Sequence, residues 1–363
     1  MNSAKSNIQR HPSNHTIDKL SLEEIVDKLN NNRLPNKLFD TGLFSIDGDN
    51  DNSEKVLLRD HLNDKSKNIL LNRKNISYNE DNNMWDNEWA VIYAATVIAD
   101  MKGYNYEELF GGKVLRAMLL RDILKGYFSS LNGVNTYEIG GGSGYTLIKM
   151  LEQGAIVRNY DQSEIALDYF KYLSGQNKRK SKAIRGTFQE IPAKIKDGSS
   201  MITFNTGVFE HIEEEERQFL MSEMVRITAY NGIVLVAVPN MDGPHYVKMR
   251  KRETDFHEWT GYSSPMEINR RFDLRKLMET NGLRVIAEDG LLIAPSIPVT
   301  VECFKRVNSF FTDKDIELYS MLPGTEKIPD RIKSYMLLEK ASTSDTRRRL
   351  GQFVYAVGQK TRD

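Results

Sequence analysis

Tyr137-Glu138-Ile139-Gly140-Gly141-Gly142-Ser143-Gly144-Tyr145 decides how the rest of the chain is read. Thr136 to Ile139 has the look of a short buried strand, and a helix pattern over Tyr145 to Gln153 starts where the glycines end. Glycines permit a sharp strand-to-helix turn and let a ligand approach the backbone where a side chain would block it. Several nucleotide-using folds share the device, so the spacing has to discriminate. A dinucleotide fingerprint needs glycines at the first, third and sixth positions; counted from Gly140, the third is Gly142 but the sixth is Tyr145. That counts against a nicotinamide dehydrogenase. A phosphate-binding P-loop needs Gly-Lys-Ser/Thr, and no lysine stands here. What remains is an acidic residue followed by glycines at alternate positions: Glu138, Gly140, Gly142 and Gly144.

Downstream, strand and helix patterns alternate. Ala155 to Tyr160, Lys182 to Gly186, Met201 to Asn205 and Gly232 to Val238 read as strands. Helices are expected over Ser163 to Leu173, Glu213 to Thr228 and Leu274 to Asn281, and Leu283 to Glu288 and Gln352 to Gly358 read as closing strands. Such alternation predicts an α/β fold, a mostly parallel sheet with helices on both faces. Asp161 falls at the tip of the second strand. A carboxylate there can accept hydrogen bonds from a ribose diol, or cap the helix that starts at Ser163; both readings stand.

Upstream, residues 1–84 form a polar, Asn-rich extension. Ser21-Leu22-Glu23-Glu24 has capping-box spacing and predicts a short helix, and Leu57, Leu58, His61 and Leu62 suggest a second. Residues 85–132 read as a helical lead-in. Trp85, Trp89, Val91, Ile92, Ala95 and Ile98 share one helical face, Gly111-Gly112 breaks the chain, and Val114 to Phe128 is a second amphipathic helix. The α/β core is expected over residues 133–295. A mostly helical insertion or lid spans 296–349, and the closing strand and C-terminus occupy 350–363.

The totals exclude several classes. Lys plus Arg equals Asp plus Glu at 50 each, so no global field draws the chain to nucleic acid or an anionic membrane. Basic clusters at Lys178-Arg179-Lys180, Arg250-Lys251-Arg252 and Arg347-Arg348-Arg349 read as solvated faces. Cys303 is the only cysteine, which rules out an intrachain disulfide and a Cys-rich zinc site and fits a cytoplasmic setting. No apolar run approaches the roughly 20 residues of a membrane span, and the N-terminus lacks a secretory signal's apolar core.

Glu138-x-Gly140-x-Gly142-x-Gly144, with Asp161 at the next strand end, resembles motif I and the following acid of class I S-adenosylmethionine-dependent methyltransferases. Ile202-Thr203-Phe204-Asn205-Thr206-Gly207-Val208-Phe209-Glu210-His211-Ile212 resembles that family's fourth strand and its Leu-Glu-His-Ile turn. Leu235-Val236-Ala237-Val238-Pro239-Asn240 resembles its fifth strand, Arg271 to Val285 its late helix–Gly–strand unit, and Phe353 to Lys360 its closing strand. The likeness to its small-molecule, type 11-like branch runs to the C-terminus. It implies a three-layer αβα, Rossmann-like sandwich of seven strands ordered 3-2-1-4-5-7-6, with S-adenosyl-L-methionine as cofactor. By resemblance the cofactor site comprises Glu138, Gly140, Gly142, Ser143, Gly144, Asp161, Gln162, Thr187, Phe188, Asn205 and Gly207, with Glu138 near the ammonium and Asp161 on the ribose. Thr187 stands where the family often has Asp, and Phe188 reads equally as an adenine-slot wall or as core.

The implied reaction is methyl transfer to a small-molecule acceptor, with sugar or secondary-metabolite chemistry the nearest class. The other reading is a non-catalytic cofactor-binding or scaffold protein on the same fold. His211 and His245 follow the fourth and fifth strands and are the candidate general bases; for His211, helix capping beside Glu213 to Glu216 is the alternative. No metal is expected, since Glu210 with His211 would supply only two ligands. Acceptor specificity is expected from Trp85 to Phe128, Met241 to Tyr262 and Ser296 to Arg349, and a homodimer contact from the N-terminal region.

Overall fold

The computed structural model describes residues 111–175, 180–243, 273–293 and 342–362. It also describes 44–45, 56–57, 62, 64–71, 85–86, 89–90, 92–94, 96–97, 100, 336 and 339–340. His245, the segments 244–272 and 294–335, and the capping box near Ser21 lie outside the described residues.

Seven strands make one sheet: β1 (Asn135–Ile139), β2 (Ile156–Asp161), β3 (Ser181–Arg185), β4 (Ser200–Thr206), β5 (Thr228–Pro239), β6 (Leu283–Leu291) and β7 (Phe353–Lys360). Their order is β3-β2-β1-β4-β5-β7-β6. The first five are parallel; β7 runs antiparallel between β5 and β6. This is the expected topology. Chain order reverses at β1, which places the carboxyl ends of β1, β2 and β4 around one crevice, where ligands of such sheets bind.

The described helices are α1 (Asp64–Leu71), α2 (Gly111–Lys125), α3 (Tyr145–Leu151), α4 (Glu164–Ser174), α5 (Ile191–Lys194), α6 (Glu214–Ile227), α7 (Leu274–Thr280) and α8 (Ser344–Leu350). Strand alternation sorts side chains to two faces. Ile233, Leu235 and Ala237 of β5 join a core with α2, α3, α4 and the lead-in, while Val234, Val236 and Val238 face α6 and α7. Residues 85–86, 89–90, 92–94, 96–97 and 100 are helical, and Ala90, Ala94 and Val97 are buried in the first core.

Four expectations need correcting. Gly111 and Gly112 do not break the chain but open α2. Glycine's cost of about 1 kcal/mol applies to a helix interior and weighs least in a first turn. The helix instead stops at Lys125, where the Gly126 N–H reaches back to both Asp122 O and Ile123 O, rather than running to Phe128. Strand β5 also begins earlier than expected, at Thr228, whose hydroxyl bonds Thr203 Oγ1 at 2.7 Å and whose backbone pairs with Ser200 across an irregularity in register. The Leu57–Leu62 region is no helix at Val56–Leu57, which pairs in parallel with Phe44–Ser45; helix α1 begins only at Asp64.

Candidate functional site

The glycine loop closes on itself and on β2. Gly140 N–H donates to Tyr160 O at 2.7 Å and Gly144 N–H to Gly141 O at 2.8 Å. Gly142 has φ +53°, and a Cβ there would lie 2.2 Å from Trp89 Cζ2, so no other residue fits. The indole of the lead-in helix therefore lies directly on the loop. Ser143 and Gly144 are buried beneath, at the start of α3.

Asp161 clamps this loop. Its Oδ2 accepts from Gly142 N–H and its Oδ1 from Ser163 N–H, both at 2.8 Å. Helix α4 is capped by Ser163, not Asp161: Ser163 Oγ accepts from Ala166 N–H at 3.2 Å and donates to Asp86 Oδ1 at 2.5 Å. Burial pushes the Asp161 carboxyl up to about 6, against the pull of the Ser163 and Gly142 amides, while the Asp86 charge adds to the rise. Gln162 beside it is exposed.

Glu138 is 3% exposed at the end of β1. One oxygen accepts from Thr206 Oγ1 at 3.3 Å, and Oε2 is buried without a hydrogen-bond partner. Burial pushes this carboxyl up to about 8, with Arg116 and the Thr206 bond pulling against it. Glu210, equally buried, repeats the pattern: Oε2 has no partner and burial pushes the group up to about 8. Gly207 lies beside it, 3.3 Å from Glu210 Oε1 to where a Cβ would stand.

His211 sits in the short helix Phe209–His211 after β4. Its Nε2 is 3.9 Å from Glu210 Oε1, beyond hydrogen-bond reach, and its ring meets Trp85 edge-on at 5.3 Å. Burial pushes its pKa down to about 4, leaving a neutral imidazole at physiological pH. The alternative of His211 capping the next helix finds no support, because Glu213 caps α6 in a capping box with Glu216.

Three predicted residues make scaffold contacts here. Asn205 Nδ2 donates to Ile139 O and so ties β4 to the end of β1, although its Oδ1 has no partner. Thr187 is exposed and its N–H bonds Glu190 Oε2 at 2.8 Å; half-buried Phe188 packs on the core face of α6 and α7. Sequence reasoning missed Asn159, fully buried in β2, whose Nδ2 holds Gly142 O at 2.7 Å. A polar residue in a strand covered on both faces was the available signal. It also missed Trp89 and Asp86, which reach the site only through the docking of the lead-in.

Residues 137–236 match the family described as a methyltransferase domain. Over that stretch the chain has a methyltransferase domain. Its cofactor is S-adenosylmethionine, and the unpartnered Glu138 Oε2 beside the glycine loop fits that molecule's cationic end. No curated protein sequence matches the chain. Among solved structures, it is similar to an S-adenosylmethionine-dependent methyltransferase from Archaeoglobus fulgidus (17% identity, TM-score 0.39, 70% of this chain and 100% of that one). It is also similar to geranyl diphosphate C-methyltransferase from Streptomyces coelicolor (15%, 0.40, 68% and 79%). A third is magnesium protoporphyrin IX methyltransferase from Synechocystis (16%, 0.39, 49% and 76%). Among the described residues, no helix is long and apolar enough to cross a membrane, and no group of three or more His, Cys, Asp or Glu is placed to hold a metal ion.

Proposed function

We propose that the protein is an enzyme that transfers a methyl group from S-adenosylmethionine to a small-molecule acceptor in the cytoplasm. The observation that carries this reading is Glu138: a buried carboxylate with one oxygen lacking any donor, beside the glycine loop. Leaving such a group unsatisfied costs about 1–3 kcal/mol or more, which a cationic ligand would offset. The cofactor supplies a methyl group made electrophilic by its sulfonium. Glu138 takes the ammonium, Asp161 the ribose diol, and the backbone of Gly140 to Gly144 the intervening chain.

The acceptor lies toward the turn after β4. Holding it in line with methyl and sulfur supplies much of the rate. Two groups there can remove its proton, His211 and Glu210. Neutral His211 is available as a base at pH 7, though its low pKa makes it a weak one; ionised Glu210 is the stronger. A screen of candidate acceptors with labelled cofactor tests the activity, and His211→Ala with Glu210→Gln assigns the base. Retention of near-normal turnover in both variants overturns the assignment to this turn.

One observation favours a non-catalytic scaffold instead: the Trp89 indole already lies against Gly142. Tight binding of S-adenosylhomocysteine with no turnover on any acceptor supports that second reading.

A further inference from the structure

Trp85 and Trp89 stand about one helical turn apart in the lead-in and meet different parts of the site. The Trp89 indole rests on Gly142 of the glycine loop. Trp85 meets the His211 ring at 5.3 Å between centres, with the two planes at 82°. The turn that carries His211 also closes on the loop, since a Cβ at Gly140 would lie 2.5 Å from Val208 Cγ2. One helix and one turn thus meet at the glycine loop, and two rings set nearly at right angles mark the junction. A third flat ring fits such a corner, stacked on one ring and edge-on to the other. Burial keeps the imidazole neutral at physiological pH, so the corner carries no charge of its own. Beside it Glu210 is 3% exposed, and its Oε2 has no hydrogen-bond partner. A hydroxyl on the rim of a bound ring would satisfy that oxygen. Burial pushes the Glu210 carboxyl up to about 8, with Arg116 pulling against it, which brings it close to a phenol's value of roughly 10. An aliphatic alcohol is a far weaker acid, so the same base moves its proton poorly.

We infer that the acceptor is an uncharged phenol, methylated on oxygen, and that Trp85 with His211 forms the aromatic corner that receives its ring. The inference rests on the methyltransferase reading above. In the reaction the phenol oxygen forms a bond to the methyl carbon. The carbon–sulfur bond breaks with its electron pair left on sulfur, which turns the sulfonium into a neutral thioether. The hydroxyl proton passes to Glu210 Oε2. Trp85 is the specificity residue, since it supplies a ring face and no proton-transfer group. An anionic acceptor would meet the buried Glu210 carboxyl and two neutral rings, and a sugar would leave the ring faces without a flat partner.

The test uses the full-length protein with labelled S-adenosylmethionine and four probe acceptors: naphthol, guaiacol, methyl glucoside and glucose phosphate. Wild type is expected to methylate the two phenols with kcat/KM at least about 10-fold above that for either sugar, as loss of a ring contact and its buried area predicts. Trp85→Leu keeps an apolar side chain without a ring; it should raise KM for the phenols about 10-fold and change kcat little. Trp85→Phe, which restores a ring, should recover most of that loss. Calorimetric titration of S-adenosylhomocysteine should give the wild-type affinity in both variants, which also shows that they fold. Sugars turned over as well as phenols, an unchanged KM in Trp85→Leu, or S-adenosylhomocysteine weakened as much as the phenols overturns the inference. Wild type that binds S-adenosylhomocysteine but methylates neither phenol overturns it too. Wild type that does not bind S-adenosylhomocysteine overturns the methyltransferase reading itself, a distinct outcome.

Discussion

In the proposed cofactor site Asp161 would have two tasks at once: its carboxylate oxygens already accept from Gly142 and Ser163, and their remaining lone pairs would take a ribose. Asp161→Ala is expected to weaken S-adenosylhomocysteine about 10- to 100-fold by calorimetry. It should also lower stability by about 1–2 kcal/mol in a urea melt, since two loop amides lose their acceptor. Unchanged affinity would remove the ribose role. Glu138 makes a prediction about pH. Its folded pKa, about 8, lies above the ordinary carboxyl value, so its contribution is present when protonated and is lost as pH rises through about 8. Glu210 acts with the same sign. Ligand-free wild type should therefore lose thermal stability from about pH 5 to pH 8, and Glu138→Gln should flatten part of that decline. Cofactor binding, by favouring the ionised form, should release protons near pH 7, measurable by calorimetry in buffers of different ionisation enthalpy. A decline of equal slope in Glu138→Gln would show that this carboxyl does not titrate as described.

At the scale of elements, the lead-in helix is held by polar groups inside an apolar interface. Thr96 Oγ1 and Tyr169 OH are 2.5 Å apart, Tyr145 OH closes on the same Tyr169 oxygen, and Tyr93 stacks on the Tyr169 ring at 5.2 Å. Tyr172 OH donates to Asp100 Oδ2 at 2.6 Å. Tyr169→Phe should cost about 1–3 kcal/mol, because Thr96 and Tyr145 keep buried hydroxyls with fewer partners. If the lead-in forms the roof that Trp85 and Trp89 suggest, the same variant should also weaken cofactor binding without touching any cofactor contact. A stability loss with unaltered affinity would confine Tyr169 to packing. At the other edge, Glu339 accepts from Leu292 and Ile293 N–H at 2.8 and 3.0 Å and so fastens the insertion to the end of β6.

At the scale of the molecule, the N-terminal extension is tied to the seven-stranded core. Lys65 of α1 pairs with Asp86 at 2.6 Å, and Asp86 in turn receives Ser163 at the start of α4. Deleting residues 1–80 removes Lys65 and leaves Asp86, 5% exposed, facing Asp161 without its cation. The deletion should lower the melting temperature by several degrees and raise the pH at which the cofactor begins to bind, since two acids then share one site. A deletion variant with wild-type melting and binding would show that the extension is an appendage. The expected homodimer through this region is a separate matter, checked by sedimentation of full-length and truncated protein.

Much of this was legible in the amino-acid order because its causes are local. Alternating apolar periods specify strands and helices, glycine spacing specifies the turn after β1, and a parallel sheet of such units permits few strand orders. Those facts alone place Glu138 and Asp161 at strand ends. Helix ends at α2 and the early start of β5 were not legible, because Gly126 capping and the Thr228–Thr203 bond depend on neighbours distant in sequence. The same holds for the site's roof and charge. Only the packed molecule sets Trp89 on Gly142, joins Asn159 to the loop, and brings the charge of Arg116 to bear on Glu138, since burial and Coulomb fields arise from groups far apart in the chain.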